Sequence, residues 1–209
     1  MQSPVSPDDS ILILGIGNLL WADEGFGVRC VEALNAAWKL PDTATVMDGG
    51  TQGLYLLPYV TSATRLIVFD AVDYGLEPGS LHLVEDEQVP RFMGAKKMSL
   101  HQTGFQEVLA SADLLGQLPV NMLLIGVQPE ELEDFGGSLR PIVRARVAQA
   151  VSIAIERLSA WGVVAEALAG AETPVNDAAL ALHAYETGRP DASSACRIGD
   201  SRVLLAPGD

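Results

Sequence analysis

The chain has 209 residues, 48 % of them apolar, enough for one domain with a sizeable core. Thirteen Lys and Arg against 27 Asp and Glu leave a net charge of −14; such a surface repels phosphate backbones, so nucleic acid and anionic membrane are poor partners and a cationic or metal-loaded one suits it better. Two cysteines, no apolar run long enough for a bilayer, and a polar start without a basic stretch set three expectations: no disulfide framework, no membrane span and no secretory leader, in a reducing cytoplasm.

Residues 1–10 are polar, carry two prolines and read as a loose arm. Ile11–Gly17 is a short apolar run ending in glycine, which predicts a central strand buried on both faces. Asn18–Asp23 reads as a loop. A helix is expected over Glu24–Ala37, with Val28, Val31, Ala33, Leu34 and Ala37 inward. Ala44–Asp48 is a second strand, broken at Gly49-Gly50, and Gln52–Val60 a short helix packed through Leu54, Leu57 and Val60. Arg65–Ala71 is the plainest central strand. Its apolar run stops at Asp70, so the carboxylate emerges at the strand end. Ser80–Glu85 alternates and suits an antiparallel edge.

Gln88–Met98 reads as a loop, with Pro90, Gly94, Lys96 and Lys97, able to move on docking. Ser99 is placed to cap a helix over Leu100–Leu115. Val120–Val127 is the last buried strand, Gln128–Gly137 an acidic loop, and Ser138–Trp161 a long helix closed by Gly162. Strands alternating with helices imply a three-layer α/β/α sandwich around a twisted, mostly parallel five-stranded sheet, spanning residues 11–162. Residues 163–209 are Ala-rich, acidic and weakly periodic; they read as a tail, with a short helix over Asn176–Tyr185.

Three metal-ligating residues fall where such a sheet gathers its ligands, at the carboxyl ends of the strands: Glu24, Asp70 and His101. Two carboxylates and an imidazole can hold a divalent cation and leave a position open. Each alone has an ordinary explanation: a helix N-terminal acid, an Asx turn, an exposed histidine. Their shared edge gives them weight. The strand-then-Gly15-x-Gly17 pattern invites a dinucleotide reading, but position 20 is Leu, and Asp23 and Glu24 would repel a pyrophosphate at the helix start. No G-x-S-x-G or HExxH motif occurs, and Cys30 lies mid-helix with only Arg29 near it. His82 and His183 lack matching partners.

Five blocks in order, GIGNLLWADEGFGVRCVEAL, DGGTQG, IVFDAVDYGLEPG, MSLHQTGFQEVL and IGVQPEELEDFGGSL, resemble the hydrogenase maturation proteases, in the branch serving uptake hydrogenases. The resemblance implies an endopeptidase that removes a C-terminal extension from the large-subunit precursor of a nickel–iron hydrogenase. It implies nickel carried by that precursor and contacted by Glu24, Asp70 and His101. Asp48, in the D-G-G-T-x-G block, is implicated in the same activity, and Asp48 or Asp70 is the expected base for water, as in an aspartyl-type protease. A monomer is expected from its small size and large partner. A non-catalytic nickel carrier for hydrogenase assembly is the alternative with the same ligands.

Overall fold

The computed structural model describes residues 9–93, 100–168 and 175–188, with side chains described for all of these but 92, 93 and 100–103. β1 (Ile11–Ile16) is buried along its length, as an unbroken apolar run requires. A 3₁₀ turn (Ala22–Gly25) leads into α1 (Phe26–Ala37), then β2 (Trp38–Lys39) and β3 (Ala44–Gly50). A second 3₁₀ turn (Gly53–Leu56) and α2 (Leu57–Ser62) precede β4 (Arg65–Ala71) and the edge strand β5 (Leu81–Glu85). α3 (Gln88–Met93), α4 (Leu100–Leu114) and β6 (Asn121–Val127) follow, then α5 (Pro141–Arg144), α6 (Val147–Ala160), β7 (Glu166–Ala167) and α7 (Leu182–Gly188).

The main sheet has the order β3-β1-β4-β6-β5. All its neighbours are parallel except β5, which runs antiparallel to β6. Leaving β1, the chain goes outward to β3 and then crosses to β4 on β1's other side. The winding therefore reverses between β1 and β4, and that reversal opens a crevice at their carboxyl ends. One core lies between the sheet and α1 and α6, around Ile13, Phe26, Ile67, Phe69 and Trp161. The other lies between the sheet and α2 and α4, around Leu14, Val60, Val68, Phe105 and Leu124. Phe69 is fully buried; cutting such a ring to alanine costs about 3–5 kcal/mol.

The five-stranded α/β/α sandwich agrees with the sequence reading, including the antiparallel edge. Several details differ. The first helix opens as a 3₁₀ turn and becomes α-helical at Phe26. Leu54 is exposed, and Leu56, four residues before the buried Val60 and so on its helix face, takes the inward place. Gln88–Met93 is helical, not loop; Pro90 sits in its first turn, where no N–H is needed, and Val89 is buried beneath it. The long helix begins at Pro141, not Ser138. Proline holds the preceding Arg140 extended (ψ 146°) and opens a helix readily. That helix also divides, as α5 and α6. Gly162 closes it with φ 90°, as expected. The Ser99 cap and the lysines at 96 and 97 lie outside the described residues.

β2 and β7 form a separate antiparallel pair that the sequence did not suggest. The segment 175–188 lies against the domain. Glu186 accepts from Ser138 Oγ (2.8 Å) and pairs with Arg144 (2.9 Å). Arg29 donates to the Leu180 carbonyl (2.6 Å) and faces the Tyr185 ring at 5.7 Å.

Candidate active site

The 3₁₀ turn after β1 packs against β4, so Glu24 stands at the carboxyl rim beside the reversal point. Ala22, which opens the turn, is buried with φ 42°. A left-handed alanine costs about 1–2 kcal/mol, and such strain gathers where a site must hold a set shape. The neighbouring acids have different fates. Glu24 is half-buried. Asp23 is fully buried and spends both oxygens on distant backbone. Its Oδ2 accepts from the Glu130 and Glu131 N–H groups, both at 2.9 Å, and its Oδ1 from the Arg140 N–H at 2.7 Å. The Trp21 and Phe135 rings, 5.3 Å apart edge to face, and the Leu20 carbonyl, accepting from Gly136 N–H, complete this latch. Neither the 3₁₀ turn nor α1 has a side-chain N-cap, so Asp23 caps neither.

Asp70, last but one in β4, is fully buried and on the α2–α4 face, two residues along from Val68 of that core. Tyr74 approaches the same face from the loop that follows. Burial first, and the negative Asp70 second, push its phenol well above the ordinary value, so it stays protonated. His101 lies in the first turn of α4. That helix start is brought to the rim by Gly104, one turn on, where a Cβ would stand 3.2 Å from the Gly53 Cα in the turn after β3. Among the described residues, no three His, Cys, Asp or Glu side chains form a metal-binding group. The His101 side chain lies outside them.

Asp48 is at the same rim but on the other face. Gly15 is level with both Asp48 and Phe69, so Asp70, one residue beyond Phe69, points away from Asp48. Asp48 has Arg29, Glu32, Asn176 and the Gly50 N–H as its polar neighbours, and Asn176 also donates to Glu32 at 3.0 Å. Burial raises the Asp48 pKa above the ordinary carboxylate value, against the opposing hydrogen bonds from Asn176 and Gly50. Thus Glu24, Asp70 and the start of α4 share the rim of the reversal crevice, while the carboxylates of Asp48 and Asp70 are divided by the sheet. Cys30 is fully buried, which pushes its thiol up and keeps it protonated and inert.

Two structural residues escaped the sequence reading. The partners of Asp23 are 107 to 117 residues away, so no local pattern could reveal them. Gln128, buried, accepts from the Tyr74 and Leu76 N–H groups (2.7 and 3.1 Å) and donates to Asp73 (3.0 Å). Its place directly after a buried strand was the available hint.

A family model described as hydrogenase maturation protease matches residues 28–157. The hydrogenase expression/formation protein HoxM of Azotobacter vinelandii is 62 % identical over 195 residues, covering 93 % of this chain and 94 % of that one. The hydrogenase 2 maturation protease of Escherichia coli is 40 % identical over 156 residues, covering 74 % and 94 %. The solved hydrogenase maturating endopeptidase HybD from E. coli superposes with a TM-score of 0.72 at 38 % identity, covering 76 % of this chain and 97 % of its own. The chain belongs to the hydrogenase maturation protease family and is an endopeptidase.

Proposed function

We propose that this protease removes the C-terminal extension of the large-subunit precursor of a nickel–iron hydrogenase, in the branch serving uptake hydrogenases, and that it acts once nickel is in place. The observation that carries this reading is the buried Asp70 at the reversal of the sheet, with Glu24 in the adjoining turn and the α4 start carrying His101 on the same rim. In this reading all three contact the precursor's nickel. Carboxylate oxygen and imidazole nitrogen both suit that ion. The nickel is part of the substrate. Contact with it makes cleavage depend on a loaded precursor, a discrimination that peptide contacts alone supply poorly.

Asp70 also serves as the base that takes a proton from the attacking water, with its neighbours on the α2–α4 face around the scissile peptide. Asp48 holds protons more tightly than a free carboxyl and is the second candidate for that role. The rim loops expose Leu20, Leu54, Tyr55, Leu76 and Phe135, an apolar surface able to receive an extended polypeptide. No helix among the described residues is long and apolar enough to cross a membrane. The protein is taken to work in the cytoplasm as a monomer.

The test mixes purified protein with nickel-loaded and with nickel-free precursor and follows intact mass. Loss of the extension from the loaded form alone is the expected result. Equal trimming of both forms removes nickel recognition from the reading, and trimming of neither favours the carrier.

A further inference from the structure

Asp70 belongs to a row of side chains with a gap in it. In the pairing of β4 with β6, Asp70 is level with Gly126; on the other side of β6, Gly126 is level with His82 of β5. Residues level across a sheet project from the same face. Val68, Leu124 and Val84, two residues from these three along their strands, all belong to the α2–α4 core, which fixes that face. The middle position of the row has no side chain of its own.

Tyr74 fills the gap. A Cβ on Gly126 would lie 1.9 Å from the Tyr74 hydroxyl oxygen and 2.7 Å from the ring carbon bearing it. Glycine is therefore what lets the phenol lie over β6, next to the strand that carries Asp70. The ring leans on His82, with centroids 4.8 Å apart. The backbone end is fixed as well, because Gln128 accepts the Tyr74 N–H at 2.7 Å. A phenol held at its backbone and its ring face, with its oxygen lying over Gly126, is kept on the face that carries Asp70.

In this structure no hydrogen bond joins the Tyr74 hydroxyl to Asp70. We propose that Tyr74 is a positioning residue of the protease: from its seat over Gly126 its hydroxyl turns to Asp70 as the precursor binds and sets the orientation of that carboxylate. The inference rests on the assignment of Asp70 to the site. A carboxylate that gives one oxygen to a metal or a proton can still turn about its last bond. A donor on the other oxygen stops that turning, and losing such a donor commonly costs 10–100-fold in metal affinity or activity.

The test compares Tyr74→Phe, Gly126→Ala, the double variant and Asp70→Asn in steady-state cleavage of nickel-loaded precursor, with free Ni²⁺ binding followed by calorimetry. Tyr74→Phe keeps the ring on His82 and removes only the oxygen. It should melt with the parent and keep KM within about twofold, while kcat and Ni²⁺ affinity fall about 10–100-fold. Gly126→Ala displaces the same oxygen and should match that kcat loss, and the double variant should be no worse than the worse single, because both act through one group. If Gly126→Ala does not fold, Tyr74→Phe alone decides. Parental kcat in Tyr74→Phe with Asp70→Asn inactive overturns this inference and leaves the site standing. A raised KM with unchanged kcat overturns it too, making Tyr74 a substrate-binding group. Parental kcat in Asp70→Asn overturns the site and the inference together.

Discussion

The two faces of the sheet treat an aspartate at the same rim in opposite ways. On the α2–α4 face, Asp70 is fully buried near a phenol that burial and its own charge keep protonated. On the α1 face, Asp48 lies among Arg29, Glu32 and Asn176, the last of these from the segment 175–188 that packs over α1. One residue of register separates these outcomes, since a strand turns successive side chains to opposite sides. Strand-end position thus brings an acid to the rim, and parity decides which chemistry it meets.

The faces should separate most sharply in catalysis. Asp70→Asn is expected to lower the cleavage rate about 10²–10⁴-fold, the usual range for a lost acid–base group, with the fold intact. Asp48→Asn should cost tenfold or less on that scale. Equal losses in a single-turnover assay would put both carboxylates in one catalytic unit and undo the division. Glu24→Gln and His101→Ala belong with Asp70→Asn and should impair loaded-precursor cleavage without lowering the melting temperature.

A smaller effect is expected at Asp23. Asp23→Ala leaves three part-buried N–H groups without their acceptor, each bond worth roughly 1 kcal/mol or a little more. The effects will not add fully, so a loss of about 3 kcal/mol is expected, or a melting temperature lower by about 10 °C in a chain of this size. A melt within about 2 °C of the parent would show that the latch is dispensable.

Asp48 gives a pH test of the α1 face. Its folded pKa is raised by burial, so its contribution to stability is present below the ordinary carboxylate value and lost as pH rises through the folded one. Denaturant titrations should therefore show Asp48→Asn gaining on the parent between about pH 4 and neutral. A gain in the opposite direction would mean that Arg29 and Asn176 outweigh burial.

Least is expected of Glu186. Burial raises its pKa, but the Ser138 hydroxyl and Arg144 more than reverse this, so the net shift is downward. The contribution to stability is thus present above the ordinary glutamate value and lost as pH falls through the lowered one. Arg144 is half exposed, so Glu186→Gln should cost under about 1 kcal/mol at neutral pH, with processing unchanged. A large loss of activity would tie the segment 175–188 to the chemistry.

Local signals carried far in this chain. Apolar runs marked β1, β4 and β6, alternation marked β5, and glycine marked the end of α6. The rim positions of Glu24 and Asp70 followed from strand ends alone. What escaped depends on distant partners or on parity. The Asp23 latch joins residues more than a hundred apart, and β2 finds its partner only after α6 closes. The seat of Tyr74 needs Gly126, whose lack of a side chain matters only once β6 lies beside β4. Asp48 and Asp70 stood as alternative bases because strand length by itself does not reveal register.

The most direct measurement is an anomalous difference map from crystals of this protein soaked with Ni²⁺. One strong peak ligated by Glu24, Asp70 and His101 is the predicted result. A peak on Asp48 with the crevice between β1 and β4 empty, or a bound ion that Asp70 does not touch, would contradict it.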